Sequence, residues 1–502
     1  MGSSHPDEFD FAGDYNLNGI ILQAHDGTGG NFEGAEGGVN IQQQVQELNI
    51  YEGINQSAVY GTLVMVDSAN IIGRLPIQGT ERLFFKLSTP GRSDPSQIHD
   101  ASEETGHPFY VYKVSNKQQT SRGTLVYTIH FASREFMRNL RTKVSKAYEG
   151  KLSDMIKQIV SDKEGLDSRK TLYFEETGNA DKIVIPNLNP FKAIGLISKK
   201  ALPKFGDGVG YYFYETTKGF YFQSWENMCA EYASSEREPI QKFFYMPRNI
   251  TDDKVDEAKE IHDLRSVESY KFINTFHDTA AAQALGTYGH RVITHNLFNK
   301  DFRTTDYNYH EQFNNTIHAD YTNDIGKGGI EPAIRGNPVD FDNFNVSDYA
   351  ESMVSLLPTT RFLHNDDKGS FGTNVLDDGK FEGVRNAVKM QVEAGTTIQM
   401  TIKGQTYIQP GQVIDFHIRP VEPEGETLDK KAYDPQYSGR YIVSKVRHRV
   451  TKQEYKMVLE VKKDSVREPH TGESIKTFLG TANNENTKFS SLNEYNTGKY
   501  GL

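Results

Sequence analysis

Cysteine is almost absent from this sequence. The 502 residues include a single cysteine, Cys229. One thiol cannot form an intramolecular disulfide, and it cannot supply a cysteine-rich zinc or iron–sulfur site. The composition therefore excludes a disulfide-stabilised fold, and it fits assembly in a reducing cytoplasm.

Long apolar runs and basic clusters are missing as well. No apolar stretch approaches the ~18 residues of a membrane span. The first residues, MGSSHPDEFDF, lack the basic start and apolar stretch of a signal peptide. The formal net charge is −11, whereas a protein that binds DNA through phosphates needs a basic surface. We expect no membrane span, no secretion by the usual route and no stable nucleic-acid binding.

Aromatic residues are plentiful, with 29 Phe and 27 Tyr against one Trp, although hydrophobic residues make up only 36% of the chain. Phe and Tyr favour strands and half-buried contacts. Runs such as Tyr127–Phe131 and Tyr455–Val461 alternate apolar and polar residues, which is typical of antiparallel strands with one buried face. The pattern predicts a β-rich α+β protein of about three domains.

Breaks in this pattern divide the chain into six parts. The middle part has helical spacing: Phe136, Leu140 and Val144 predict one helix, and Ser153 is expected to cap a second. A third helix is predicted to start at Asn189-Pro190, followed by a hairpin at 211–222. The termini are poor in apolar residues. We predict the following parts: an N-terminal arm at 1–38, a first β domain at 39–135, an α+β domain at 136–260, the start of a second β domain with inserted loops and a helix at 261–395, a second β domain at 396–466, and a flexible tail at 467–502.

The two β domains show a faint internal repeat. Ile77-Gln78 followed by Leu83, Phe85 and Leu87 matches Ile408-Gln409 followed by Ile414, Phe416 and Ile418 at one constant offset. FYVYKV at 109–114 parallels RYIVSKV at 440–446. Chance similarity of alternating strands explains this pattern as well as a duplication does.

Nucleotide-binding and calcium motifs fail on spacing. The glycines of segment 27–34 suggest a phosphate loop, but Phe32 replaces the third glycine of GxGxxG and no Lys-Ser/Thr follows Gly34. With Gly369 as the glycine of an EF-hand loop, His364 and Lys368 would have to be calcium ligands, which they are not.

Histidine motifs fail too. His310-Glu311 begins like HExxH, but Asn314 stands in place of the second histidine, and His318 is two helical turns away. His290 and His295 lie five apart on a predicted strand and so face opposite sides. No nucleophile elbow GxSxG occurs. We therefore assign no catalytic, cofactor-binding or metal-binding residue, although carboxylates brought together by folding could still form a glycosidase pair.

Four stretches together resemble the central baseplate hub family of contractile-tailed (myovirus) bacteriophages, in family order. They are INQSAVYGTLVMVDSANI at 54–71, NPFKAIGLISKKALP at 189–203 with GYYFYETTKGFYFQSWENM at 210–228, LGTYGHRVITHNLFNKDF at 285–302, and YIQPGQVIDF at 407–416 with SGRYIVSKVRHRV at 438–450.

The resemblance implies two β-barrel-like tube domains with inserted α+β domains, in which residues 270–276 join the second tube domain. It also implies a homotrimer whose six tube domains adapt the threefold central spike to the sixfold tail tube, in a virion tail baseplate assembled in the host cytoplasm. The partners it implies are the tail tube protein, the central spike protein and other baseplate proteins. Such a hub is structural and not an enzyme.

Two alternatives stay open. One is a tail-associated peptidoglycan hydrolase or a glycan-binding tail protein, because a β-rich acidic chain suits sugars. The other keeps the same fold in a phage-derived injection system of a cell.

We predict that the purified protein releases no muropeptides from peptidoglycan, because no catalytic motif has the required spacing. A muropeptide-release assay with a known hydrolase as control measures this. Release that survives removal of residues 320–380 and 467–502 would instead indicate an active site in the remaining chain.

Overall fold

A computed structural model describes most of the chain. The described residues are 11–23, 38–74, 77–90, 98–102, 105, 107–204, 208–231, 240–245, 263–275, 278–296, 300–322, 330–334, 343–359, 383–384, 388–389, 392–393, 395–419, 433–434 and 436–467. The glycine-rich segment 27–34, the acidic segment before Gly369 and the predicted tail after Arg467 lie outside these ranges.

Strands dominate the described structure. The strands are β1 (Asn16–Gln23), β2 (Val39–Asn40), β3 (Val45–Gly53), β4 (Tyr60–Asp67), β5 (Arg82–Ser88), β6 (His99–Asp100), β7 (Phe109–Ser121), β8 (Thr124–Ser133), β9 (Val144–Lys151), β10 (Leu172–Phe174), β11 (Ala180–Leu188), β12 (Tyr211–Thr216), β13 (Gly219–Ser224), β14 (Gln241–Tyr245), β15 (Val267–Asn274), β16 (Gly289–Asn296), β17 (Asp301–Asn308), β18 (Glu331–Pro332), β19 (Val354–Thr359), β20 (Thr396–Lys403), β21 (Val413–Ile418), β22 (Gly439–Thr451), β23 (Tyr455–Lys463) and β24 (Ser465–Val466).

Helices are few and short. The α-helices are α1 (Ile71–Arg74), α2 (Arg134–Arg141), α3 (Leu152–Ser161), α4 (Pro190–Ser198), α5 (Trp225–Glu231), α6 (Thr279–Ala284) and α7 (Tyr309–Gln312). No helix among the described residues is long and apolar enough to cross a membrane. The β-rich α+β class predicted from the sequence is confirmed.

One sheet of fourteen strands contains both predicted β domains. Its main path runs β15-β20-β23-β22-β3-β4-β8-β7-β5-β1-β2, and β6, β14 and β21 pair beside this path. We call β1 to β8 the first β unit, and β14, β15 and β20 to β23 the second β unit. The two units join where β22 pairs with β3, and their apolar faces form a single core.

Alternation along each strand builds that core. β4 alternates between half-buried and buried residues along its whole length, and β20 does so over its second half. Phe131 and Phe416, one from each unit, are fully buried in the common core. Period-two patterning therefore produces the sheet as the sequence predicted.

The inserted α+β unit, β9 to β13 with α3 and α4, has its own apolar core. The predicted hairpin at 211–222 is present, because β12 pairs antiparallel with β13. Helix α4 begins at Pro190 as predicted, but the Asn189 side chain does not cap it. Instead, Asn139 Oδ1 accepts a 2.9 Å hydrogen bond from the Phe191 backbone N–H, so a distant side chain caps this helix.

A largely buried lysine, Lys170, forms ion pairs that join the inserted unit to the first β unit. Lys170 Nζ lies 3.2 Å from Glu135 Oε2 and makes a shorter contact with Glu215. Glu215 Oε2 also accepts hydrogen bonds from the Val59 backbone N–H and the Ser133 hydroxyl. Burial disfavours the charged form of Lys170, but the two carboxylates outweigh burial and raise its pKa. The junction is therefore an ionic cluster in which one lysine lies between two buried carboxylates.

A smaller sheet, β17-β16-β19, packs on the far side of the second β unit. Buried Asp464 accepts hydrogen bonds from Trp225 Nε1 and the Ala319 backbone N–H, both at 3.0 Å. Lys463 and Asp320 form a 3.0 Å ion pair with fully buried side chains. Polar groups at the end of β23 therefore anchor three parts of the chain together.

The structure differs from the sequence predictions in two strands. Asn16–Gln23, expected within an arm, is strand β1 and pairs with β5. A register shift between Asn18 and Ile21, with Gly19 at φ +53°, breaks the period-two pattern there. Val354–Thr359, expected in irregular loops, is strand β19. Its outward residues Val354 and Leu356 are exposed, so no polar face marks the strand in the sequence.

Two helix predictions are also inexact. Ser153 was expected to cap α3, but the helix starts at Leu152 and Ser153 is buried against Thr177. Val144 was expected to continue a helix from Phe136, but it begins β9. The predicted strand at 270–276 does join the second β unit, because β15 pairs with β20.

We predict that Lys170→Met lowers the free energy of unfolding by about 3–5 kcal/mol, because it leaves two buried carboxylates without their cation. Urea or thermal unfolding followed by circular dichroism measures this change. Lys182→Met is the matched control, since Lys182 pairs with Glu149 at a largely exposed site and such pairs contribute little. Equal effects of both substitutions would contradict the role of the cluster.

Candidate assembly interface

The two β units share one strand connectivity. In the first unit, the strand order β3-β4-β8-β7-β5 uses antiparallel neighbours only. In the second unit, the order β15-β20-β23-β22-β21 does the same. The strands correspond one to one in chain order. The internal repeat that the sequence indicated is therefore confirmed at the level of topology.

Register agrees as well as order. Leu83 on β5 lies opposite Phe109 on β7, and Ile414 on β21 lies opposite Tyr441 on β22. Two register shifts recur at equivalent places. The shift between Val45 and Glu47 on β3 corresponds to the shift between Val267 and Ser269 on β15. The shift between Val111 and Lys113 on β7 corresponds to the shift between Val443 and Lys445 on β22. Bulges are specific structural features, so chance alternation does not account for this match.

The seam between the units is the antiparallel pair of β22 (residues 445–451) and β3 (residues 47–53). Its inner face is mainly apolar, with Ile50 fully buried, although Glu52 and His448 are buried there as well. On the outer face, Glu47 accepts hydrogen bonds from Arg449 Nε at 3.0 Å and Arg447 Nη2 at 3.3 Å. Burial opposes ionisation of Glu47, but its hydrogen bonds from Arg449 and Asn49 lower its pKa. The seam therefore combines strand pairing, apolar burial and ion pairs.

Two strand edges equivalent to this seam are open among the described residues. β7 corresponds to β22, but it pairs with β5 only at Phe109 and Tyr110. From Lys113 onward its second edge faces no described strand. β15 corresponds to β3, and along its length it pairs only with β20, although β14 approaches its start through the bridge of Phe244 with Ser266. Within the described ranges, one chain therefore pairs its units once and leaves one copy of each matching edge without a full strand partner.

Exposure of equivalent residues shows what these edges lack. Ile50 at the seam is 0% exposed, whereas its counterpart on β15, Phe272, is 38% exposed. The next residue, Ile273, is 54% exposed. Val446 is buried at the seam, and its counterpart Val114 on β7 is only half-buried. The open edges thus expose apolar surface that the seam covers.

The histidines weighed in the sequence have structural partners. His310 Nδ1 lies 2.8 Å from the Ser347 hydroxyl, and His318 Nδ1 lies 3.0 Å from Asp464 Oδ2. His310 and His318 are not brought together as ligands. His290 is buried and His295 half-exposed, so they face opposite sides of β16 as predicted.

The seam was not predicted from the sequence. Its ion-paired residues, Glu47, Arg447 and Arg449, lie about 400 positions apart, and no local spacing connects them. The available signal was the alternation of Arg447, Arg449 and the apolar residues between them, which marks a strand with one polar face.

Comparisons with known proteins give one sequence relative. No protein-family model matches the chain. The chain is 22% identical over 443 residues to the probable baseplate hub protein gp334 of Vibrio phage KVP40, covering 86% of this chain and 93% of that protein.

Two of the solved structures that are similar to this chain are tail proteins. A tail protein from Neisseria meningitidis MC58 matches 90% of this chain and 97% of its own, with 10% identity and a TM-score of 0.48. The 43 kDa tail protein of prophage MuSo2 from Shewanella oneidensis matches 89% of this chain and 99% of its own, with 8% identity and a TM-score of 0.47. TM-scores this low establish no detailed correspondence.

The sequence relative covers nearly the whole chain, and it bears the same description that the four ordered motifs indicated. The resemblance of this chain to phage baseplate hub proteins is therefore confirmed.

Proposed function

We propose that the protein is a structural, non-enzymatic subunit of a phage tail baseplate hub, and that three copies close into a ring of six β units. One observation supports the ring most directly. Each chain pairs its two units through β3 and β22, and no described strand pairs along the equivalent edges of β15 and of β7 from Lys113 onward.

Pairing β7 of one copy with β15 of the next would repeat the in-chain seam between chains. Open strand edges with exposed apolar residues invite association. A head-to-tail contact of this kind forms either a closed ring or a filament. Closure after three chains gives six units in similar surroundings, which agrees with the family resemblance.

Such a ring suits an adaptor. Three identical chains match a threefold central spike, and six similar β units match a sixfold tail tube. The parts at 39–135 and 396–466, with the strand at 267–274, are then the two tube-like domains. The α+β insertion and the smaller sheet remain available for other baseplate proteins. The relative described as a baseplate hub protein supports a location in the virion tail, with assembly in the host cytoplasm.

We predict that the purified protein has three times the 56.8 kDa mass of one chain. Strand pairing and apolar burial at three seams hold the ring together. Light scattering coupled to gel filtration at tens of micromolar measures the mass. A monomer at that concentration would contradict self-assembly through these edges.

A disulfide pair tests the strand contact itself. The in-chain seam places Arg449 opposite Asn49, and their counterparts on the open edges are Gln118 and Lys271. Paired strand residues have Cα atoms ~4.5–5.5 Å apart, a distance that a disulfide spans. We predict that Gln118→Cys with Lys271→Cys in one chain gives covalent trimers on a non-reducing gel.

Two controls accompany this test. Asn49→Cys with Arg449→Cys should form a disulfide within one chain, which verifies the geometry at the seam. Gln118→Cys with Lys182→Cys should leave chains unlinked, because Lys182 is exposed on the inserted unit. Background is low, since the native Cys229 is buried. A trimeric mass without linkage between Gln118→Cys and Lys271→Cys would mean that the ring closes through other surfaces.

A further inference from the structure

Three buried polar side chains meet at the seam between the β units. Glu52 lies on β3, His99 on β6 and His448 on β22, and one ligand atom from each lies within 4.8 Å of the others. The exposures of these residues are 1%, 2% and 0%. His99 Nδ1 is 3.9 Å from Glu52 Oε1, beyond hydrogen-bond distance.

Several atoms of this cluster lack a hydrogen-bond partner. They are Glu52 Oε2, both ring nitrogens of His99, and His448 Nε2. A buried polar atom left unpaired destabilises the folded state, because it has lost its hydrogen bonds to water. Each of the three residues thus carries an unpaired polar atom, and the three side chains meet in one buried cluster, which indicates that a group absent from the protein itself satisfies them.

In His448 and Glu52, the other polar atom of the side chain already has a hydrogen-bond partner. His448 Nδ1 lies 2.6 Å from the Tyr455 hydroxyl, which leaves Nε2 free and directed into the cluster. Glu52 Oε1 accepts a 3.2 Å hydrogen bond from the Thr217 backbone N–H. Metal-binding histidines typically use the second ring nitrogen in this way, because a partner there fixes the ring orientation.

The protonation states of the two histidines also favour the binding of a cation. Burial lowers the pKa of His99 to about 3 and that of His448 well below its usual value. Both imidazoles are therefore neutral at pH 7, which is the form that coordinates metals. Burial raises the pKa of Glu52 to about 8, and a bound cation would favour its ionised form instead.

We propose that Glu52, His99 and His448 bind a divalent first-row transition metal, with zinc as the best match. Two imidazoles and one carboxylate are a ligand set for zinc, whereas calcium and magnesium require mainly oxygen ligands. Zinc binds such atoms at ~2.0–2.2 Å, so the three side chains would close in around it by about 1 Å. A water molecule would complete four-coordination.

This site belongs to the in-chain seam alone. His448 pairs with Ile50 across the seam. The counterpart of Ile50 on the open edge is Phe272, and β7 has the irregular segment Asn116–Lys117 where β22 has His448. A metal would therefore reinforce the contact within each chain and not the contact between chains. Metal binding at this site would not depend on whether the protein forms a trimer, because all three ligands belong to one chain.

The first experiment uses the unaltered full chain. Protein treated with a chelator, then incubated with zinc and gel filtered, should retain about one zinc ion per chain by mass spectrometry of the metal. Its thermal unfolding midpoint should rise on zinc addition and fall again on chelation. Retention of less than a tenth of an ion, even after refolding in the presence of zinc, would overturn the proposal.

Substitutions then assign the ligands. His99→Gln and Glu52→Gln should each lower zinc retention about tenfold or more, and they should remove the dependence of the unfolding midpoint on zinc. His295→Gln is the control, because His295 lies half-exposed on β16. Tyr455→Phe should weaken affinity about 10–100-fold while stoichiometry at saturation is kept. Unchanged retention in folded His99→Gln protein, checked by circular dichroism, would place the metal elsewhere and overturn the assignment.

Discussion

The antiparallel pairing of β3 with β22 is the contact on which the other parts of this structure depend. It joins two β units, through strands about 400 positions apart in the chain, into one sheet with one apolar core. Because strand pairing fixes register, it also fixes how the second unit is turned relative to the first. The relative orientation of the two units therefore determines which of their other surfaces can make further contacts.

The insertions are attached to this sheet by buried polar groups and not by apolar packing alone. Lys170 joins the α+β unit to the first β unit, and Asp464 joins helix α5 and the segment at Ala319 to the second. Buried ion pairs contribute little net stability, but removing one partner is costly. Such contacts therefore define one orientation for each insertion, which suits a protein that must present several surfaces to different neighbours.

Local patterning predicted much of this fold and little of its assembly. The alternation at Leu83–Leu87 and Ile414–Ile418 was sufficient to predict β5 and β21, and their equal spacing predicted the repeat. Strand β1 was missed because Gly19 and a bulge interrupt its period. The seam, and the cluster of His99 with His448, join residues hundreds of positions apart. Spacing within a short window holds no information about such contacts, whereas the three-dimensional register reveals them directly.

Because the β unit is duplicated within the chain, the proposed ring would contain two kinds of seam with the same strand geometry, one within each chain and one between chains. The in-chain seam forms at high effective concentration, because both strands are in the same molecule. In the proposed ring, the seam between chains would form by association, and the edges that would form it expose Phe272 and Ile273 in the single chain. The in-chain seam was therefore free to acquire features that the other lacks, including the ion pairs of Glu47 and the buried Glu52–His99–His448 cluster. In the proposed ring, this difference between alternate seams would give a threefold partner a surface to recognise, while the shared strand register would keep the sixfold pattern that a tube requires.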